Sequence, residues 1–241
     1  MQHVQRFDAR VIGAGRAGGS LASALSAVGW HVDGPLDRTA ALAGAASDAD
    51  IVILAVPDRA VEAVARGIEP GDAVLVHVAG ALGLDVLAPH PRTASVHPLV
   101  SLPSPEVGAR NLRGAWFATA GEETATARIV AALDGRGVEV ADADRIRYHA
   151  TAVVAANHLV ALLGQVERLA RSIDVPLDAY LDLARGALDN AASLGPAAAL
   201  TGPVARGDWD TVASHLDALP DGERALYSLL ADAAHRLVDA P

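Results

Sequence analysis

Up to about residue 140, short apolar runs alternate with alanine-rich segments of helical spacing. The runs are Arg10–Ile12, Trp30–Leu36, Ile51–Val56, Ala73–Val78, Thr93–His97, Ala115–Thr119 and Gly137–Val140. Trp30–Leu36 is the weakest, since Gly34 and Pro35 interrupt it. Apolar runs of this length read as strands buried on both faces. Their alternation with helices, of which Leu21–Val28 is the first, predicts a parallel sheet covered on both sides. Pro57, Pro98, Pro103 and Pro105 follow strands, where a missing N–H costs little.

Beyond Asp144 the period changes. Arg145–Ser172 has apolar residues at helical spacing and around most of its circumference. A helix of that kind should be buried, and in so small a domain the burying surface points to a second copy of the chain. Asp178–Ser193, Trp209–Leu219 and Glu223–Val238 are further helices, with Asp208 and Asp221 as N-caps of the last two. The expected organisation is α/β: a Rossmann-like, mostly parallel domain over 1–142, then an all-helical substrate and dimerisation domain over 143–241.

Composition narrows the chemistry. The chain has 241 residues, 51% hydrophobic but only 3% aromatic, so the core is built from small side chains. Its 19 basic residues are all arginine, and it has no cysteine. Without cysteine there is no disulfide, thiol nucleophile or thiolate-held metal. Without lysine there is no Schiff base, standard P-loop or lysine acid. No metal site is expected. A net charge of −10 argues against nucleic acid as a partner. The N-terminus lacks a basic-then-apolar signal pattern. The apolar stretch Ala150–Gly164, interrupted by Asn157 and His158, is short of the ~20 residues of a membrane span. These features suit a cytoplasmic protein with no membrane partner.

Gly13-Ala14-Gly15-Arg16-Ala17-Gly18 lies between the first strand and the first helix. Gly13 permits a tight turn, Gly15 lets the backbone approach a pyrophosphate, and Gly18 lets the helix pack on the sheet. The helix N-terminus, reached through Arg16 and Ala17, offers unpaired N–H groups to the phosphates. Asp37 ends the second strand about 20 residues on, where a carboxylate would bind an adenosine ribose. A glycine turn kept for packing, or a methyltransferase-type loop, is the competing reading. Asp37 favours NAD, whereas Arg38 and Arg16 could clamp a 2′-phosphate. The cofactor is NADP or NAD, with a slight lean to NADP.

Val56 and Pro57 follow a central strand and can line the cofactor crevice, or simply start a helix with Asp58 as cap. His77 and His97 end two later strands on the face where ligands bind; either could be structural, but histidine is a natural proton donor near neutral pH, and His77 with Pro57 would border the nicotinamide of the cofactor. His149 and Asn157 are polar positions on the long helix, and two turns plus about 80° separate them. Buried, they would need partners; bordering a cleft, they would orient a substrate. Thr201 and Arg206 lie in a polar turn, and Arg206 could hold a substrate carboxylate.

Together these residues resemble a bacterial family with a Rossmann-like domain followed by a helical domain of undefined function. The resemblance runs end to end. It rests on Gly13-Ala14-Gly15-Arg16, Ala55-Val56-Pro57-Asp58, His77 with Gly80-Ala81-Leu82-Gly83, and Ser95 with His97-Pro98-Leu99. It continues through Tyr148-His149, Asn157, Leu159-Val160-Ala161-Leu162, Asp189-Asn190, Leu200-Thr201-Gly202-Pro203 and Arg206-Gly207-Asp208. That family is similar to the 6-phosphogluconate and β-hydroxyacid dehydrogenase superfamily, including pyrroline-carboxylate and ketopantoate reductases. Some members look like alternative ketopantoate reductases. Two departures stand out. Val78 and Ala79 replace the hydroxyl side chains usual after the His77 position. Val153 occupies the place of a catalytic lysine one turn before the asparagine, if Asn157 is that residue.

The resulting expectation is a homodimeric NAD(P)-dependent oxidoreductase reducing a small carbonyl compound, such as a 2-keto acid of the ketopantoate kind. His97 or His149 would donate the proton, Asn157 would fix orientation and Arg206 would hold the carboxylate. The alternatives are a non-catalytic dinucleotide-binding dimer, acting as redox sensor or partner protein, and a deazaflavin-linked NADP reductase.

Overall fold

A computed structural model of the chain describes residues 8–238. Seven strands form the sheet: β1 (Asp8–Ile12), β2 (His31–Leu36), β3 (Ile51–Leu54), β4 (Val74–His77), β5 (Thr93–Pro98), β6 (Trp116–Gly121) and β7 (Arg136–Glu139). Their order is β2-β1-β3-β4-β5-β6-β7. The strands from β1 to β5 pair in parallel, β6 runs antiparallel to β5, and β7 is parallel to β6. This is the Rossmann-like, mostly parallel sheet that the apolar runs predict.

Side-chain alternation splits the central strands between two cores. Ile51 and Ile53 enter one cluster with Leu21 and Leu25 of α1 (Arg16–Ala27). Val52 and Leu54 enter the other with Val61 and Ala65 of α2 (Asp58–Arg66). Every residue of β3 and β4 is buried, which is why both read as continuous apolar runs. β7 is exposed throughout and closes one edge. α3 (Pro105–Asn111) and α4 (Glu123–Ala132) complete this part.

The long helical run has three pieces: α5 (Arg145–Val153), a π-helical turn (Val154–His158) and α6 (Leu159–Ser172). α7 (Leu177–Leu194), α8 (Pro196–Ala199), α9 (Trp209–Ala218) and α10 (Asp221–Val238) follow. The Asp208 side chain caps α9, accepting from the Thr211 N–H at 3.1 Å. Asp221, expected as a cap, is instead the first residue of α10.

The chain divides into two compact units between Ala156 and Asn157. α5, which the sequence groups with the helices from 143 onward, therefore packs with the sheet-bearing unit. In the helical unit, the Gln165 side-chain amide donates to the Glu223 carbonyl at 2.9 Å. Arg168 grips the Glu223 carboxylate at 2.6 and 3.0 Å. No residue of α7 or α10 is buried. The burial expected of the long helix is not found within one chain: Ile146 is 75% exposed and Val160 68%. Among the described residues, only Arg145, Gln165 and Ala170 of this run are buried. By length and composition, the 31-residue run Asp142–Ser172 could also cross a membrane, which the shorter stretch Ala150–Gly164 suggests against.

Candidate active site

The sheet order reverses between β1 and β3, whose carboxyl ends open a crevice of the kind that takes nucleotides in open α/β sheets. The glycine loop fills this place. Gly13 has φ +119°, and a Cβ there would lie 2.3 Å from the Ala55 carbonyl oxygen. A Cβ on Gly18 would lie 1.8 Å from the Gly13 carbonyl oxygen. Both positions thus require glycine for the turn itself. Gly15 differs: nothing lies within 4 Å of its would-be Cβ. It is the N-cap of α1 and supplies no side-chain hydrogen bond. The first N–H groups of a helix lack intrahelical partners, and the open space over Gly15 leaves room beside them for a pyrophosphate. These residues fit a dinucleotide. Arg16 is exposed at the first helical position, and Ala17 packs partly against the core.

Asp37 and Arg38 are both exposed just beyond β2. One Asp37 oxygen accepts the Thr39 hydroxyl at 2.5 Å and the Thr39 N–H at 2.9 Å. These bonds hold its carboxyl below the usual range. Val56 is partly buried against the second core, and Pro57 is exposed at the start of α2.

The second half of the site is a cluster at the carboxyl ends of β4 and β5. His77 pairs in register with Ser95, and both are fully buried. His77 Nε2 lies 3.2 Å from the Gly83 carbonyl oxygen, so this ring ties down the loop after β4. Val78 and Ala79 follow it into the core, which accounts for apolar side chains there. His97, two residues beyond Ser95, is partly exposed. Its Nδ1 lies 2.8 Å from the Tyr148 hydroxyl. Its ring meets those of Tyr148 and His149 edge-on, at 5.5 and 5.9 Å between centroids. Burial lowers His97 to a pKa of about 4, assisted by the neighbouring His149, Arg145 and His77. Burial and then Arg145 lower His77 to about 4 as well.

Beneath the histidines lies Arg145, with no exposed surface. One guanidinium nitrogen donates to Ser95 Oγ at 2.8 Å. Nε is 3.9 Å from Asp142 Oδ1, and among the described residues neither Nε nor Nη2 has a hydrogen-bond partner. Asp142 also accepts the Leu84 N–H at 3.1 Å, joining the loop after β4 to the start of α5. Arg145 is a site residue that sequence reasoning did not name, and Tyr148 entered only with the resemblance, without a role. Their spacing held the signal, because positions 145, 148 and 149 share one face of a helix.

Comparison with known proteins agrees with this architecture. Residues 116–234 match the model of a domain of unknown function (DUF2520). No curated protein matches the chain. Among solved structures, a candidate NADP oxidoreductase of Bacteroides fragilis, BF3122, aligns over 96% of this chain and 98% of its own, at 21% identity and a TM-score of 0.78. The pyrroline carboxylate reductase of Plasmodium falciparum, solved with NADP, covers 96% and 98% at 12% identity and TM-score 0.65. A reductive aminase of Aspergillus terreus, solved with NADPH and ethyl levulinate, covers 96% and 94% at 18% identity and TM-score 0.66. At such identities the likeness is one of fold. The expected kinship with a Rossmann-plus-helical family is met in that sense, by these folds and by the domain match.

The remaining candidates lie in the helical unit. Asn157 falls within the π-helical turn and is exposed. π turns are rare and recur at functional positions. Thr201 and Arg206 are exposed around the short turn Val204–Arg206, bounded by Gly202 at φ +94° and Gly207 at φ +69°. Val153, which the resemblance would set against a lysine if Asn157 is the family's asparagine, is the partly buried last residue of α5, in the sheet-bearing unit.

Proposed function

We propose that the chain is an NAD(P)-dependent reductase of a small carbonyl compound, with 2-keto acids of the ketopantoate kind as first candidates. The observation that carries this reading is the glycine loop at the β1/β3 switch point, with backbone packed too tightly for any other residue at 13 and 18 yet open at 15. The histidine cluster stands on the same carboxyl edge of the sheet. Gly13, Gly15, Arg16, Ala17 and Gly18 would hold the pyrophosphate, and Val56 and Pro57 would border it. When bound, the reduced nicotinamide supplies a hydride to an electrophilic carbon. The chain's own part is to orient the substrate and protonate its oxygen. His97 is the group we assign to that proton. His149 shapes the pocket, and His77 acts through the loop it anchors. Asn157, Thr201 and Arg206 are the proposed substrate contacts of the helical unit.

Of the two cofactors we favour NADP. Asp37 is drawn onto Thr39, while Arg38 beside it and Arg16 at the start of α1 are exposed cations. We also propose a homodimer, from the apolar surface of the helical unit.

The test is oxidation of NADPH and NADH with a panel of keto acids including ketopantoate, beside direct cofactor titration. Turnover with at least one keto acid is expected, with NADPH bound more tightly than NADH. Cofactor binding with no turnover of any would leave the non-catalytic dinucleotide-binding dimer, which the burial of Val78 and Ala79 favours.

A further inference from the structure

We propose that Tyr148 fixes His97 as an Nε2–H donor and supplies the proton that His97 passes on, with Arg145 as counter-charge to the phenolate left behind. The inference rests on the reductase reading and goes beyond it by naming the proton's source.

Both partners of the contact are uncharged. The His97 ring is uncharged at neutral pH, because burial and the positive Arg145 oppose protonation. Tyr148 keeps its own proton, since burial raises the phenol above its usual range although Arg145 pulls it down. At 2.8 Å the contact suits donation in either direction; the relay assigns the hydroxyl as donor to Nδ1, which puts the single ring hydrogen on Nε2. Nε2 faces Gly80, where a Cβ would lie 2.9 Å from it and 2.6 Å from His149 Cδ2. Glycine at 80 leaves the ring its position. The other ionisable groups around the pair are His77 from β4, His149 from α5 and Asp142 from the turn before it. Asp142 partly offsets the Arg145 charge but hydrogen-bonds Leu84 rather than the guanidinium. Arg145 thus keeps two buried donors without a partner among the described residues, one helical turn from Tyr148 and within electrostatic reach of the hydroxyl that would become an anion.

The transfer balances. As the substrate carbon accepts hydride, the carbonyl π pair moves to oxygen, and that oxygen takes the Nε2 proton. The Nε2–H pair stays on the ring, Nδ1 takes the Tyr148 proton, and the phenolate remains beside Arg145. After product leaves, a water proton reaching Nε2 returns the Nδ1 proton to Tyr148. Tyr148 is in these terms a positioning residue, acting through His97.

Two measurements on the full chain test this. Imidazole 15N–1H spectra at pH 7 should show His97 neutral with its hydrogen on Nε2, and Tyr148→Phe should lose that preference. With the keto acid that turns over, Tyr148→Phe should lower kcat by about tenfold or more. KM and NADPH affinity should stay within about twofold, since uniform binding is untouched. A hydrogen on Nδ1 in the unsubstituted protein overturns the relay without any variant. So does a Tyr148→Phe protein with undiminished kcat. If the unsubstituted protein binds NADPH but turns over nothing, the reductase reading fails. The relay falls with it as chemistry, and the spectra then decide only whether Tyr148 orients His97.

Discussion

Gly15 and Gly18 belong to the same loop, yet a methyl group should harm them differently. At Gly15 an added Cβ meets no protein atom, and the backbone there, φ −81° and ψ −172°, suits alanine. Gly15→Ala should change stability by no more than about 0.5 kcal/mol, while weakening NADPH binding at least tenfold by standing in the phosphate's approach. Gly18→Ala drives a Cβ against the Gly13 carbonyl and should lower the melting temperature markedly. Thermal unfolding and cofactor titration on both variants check the pair, and equal behaviour in both assays would contradict the assignment. The buried histidines make a separate prediction. His77 and His97 titrate near 4 in the folded chain and near 6.5 unfolded. Between those values the unfolded chain binds protons that the native one refuses, so stability must fall as pH falls. The slope should be on the order of 1 kcal/mol per pH unit for each ring, ending below about pH 4. Denaturant midpoints from pH 7 to 4 measure it, and His97→Gln should flatten the curve. Glycine spacing announces the loop from sequence alone because backbone geometry leaves those positions no choice. For Arg145 and Tyr148 the helical spacing shows a shared face but no role, since the role comes from packing on strands some fifty residues earlier.

Elements were legible to the degree that burial wrote itself into the chain. β3 and β4 are buried on both faces and stand out as apolar runs. β7 is fully exposed and was found only by its place in the alternation. The reversal of β6 against β5 leaves no mark on either strand, because antiparallel and parallel neighbours bury the same side chains. α3 is a helix that the prolines disguised. Pro105 sits at its first position and Ser104 caps it through the Val107 N–H at 3.3 Å, so the residues that look like a loop are start signals. The π turn has no equivalent signal. Thr151–Val160 holds neither glycine nor proline, and its residues would suit an uninterrupted α-helix. The widened turn shifts everything after it, so the facing of His149 and Asn157 estimated from ideal helical spacing does not carry across.

For the whole molecule, the decisive quantity is apolar surface that one chain leaves uncovered. In the helical unit Leu183 is 70% exposed, Leu194 63% and Leu229 66%, beside Val160 at 68%. Isolated exposed leucines are ordinary, but runs of them on helices without a single buried residue are not. Helices that short of burial draw their stability from packing supplied elsewhere. The proposed second copy would supply it without any other partner, by a two-fold interface in which each patch meets its twin. The protein at micromolar concentration, without detergent, should therefore elute with twice the chain mass under light scattering. Leu183→Glu with Leu229→Glu should shift it to monomer and lower its melting temperature, since the helices lose cover along with the partner. A monomer that keeps its full stability would refute the dimer. Recovery only in detergent micelles would refute it too, and would assign the apolar run Asp142–Ser172 to a membrane instead.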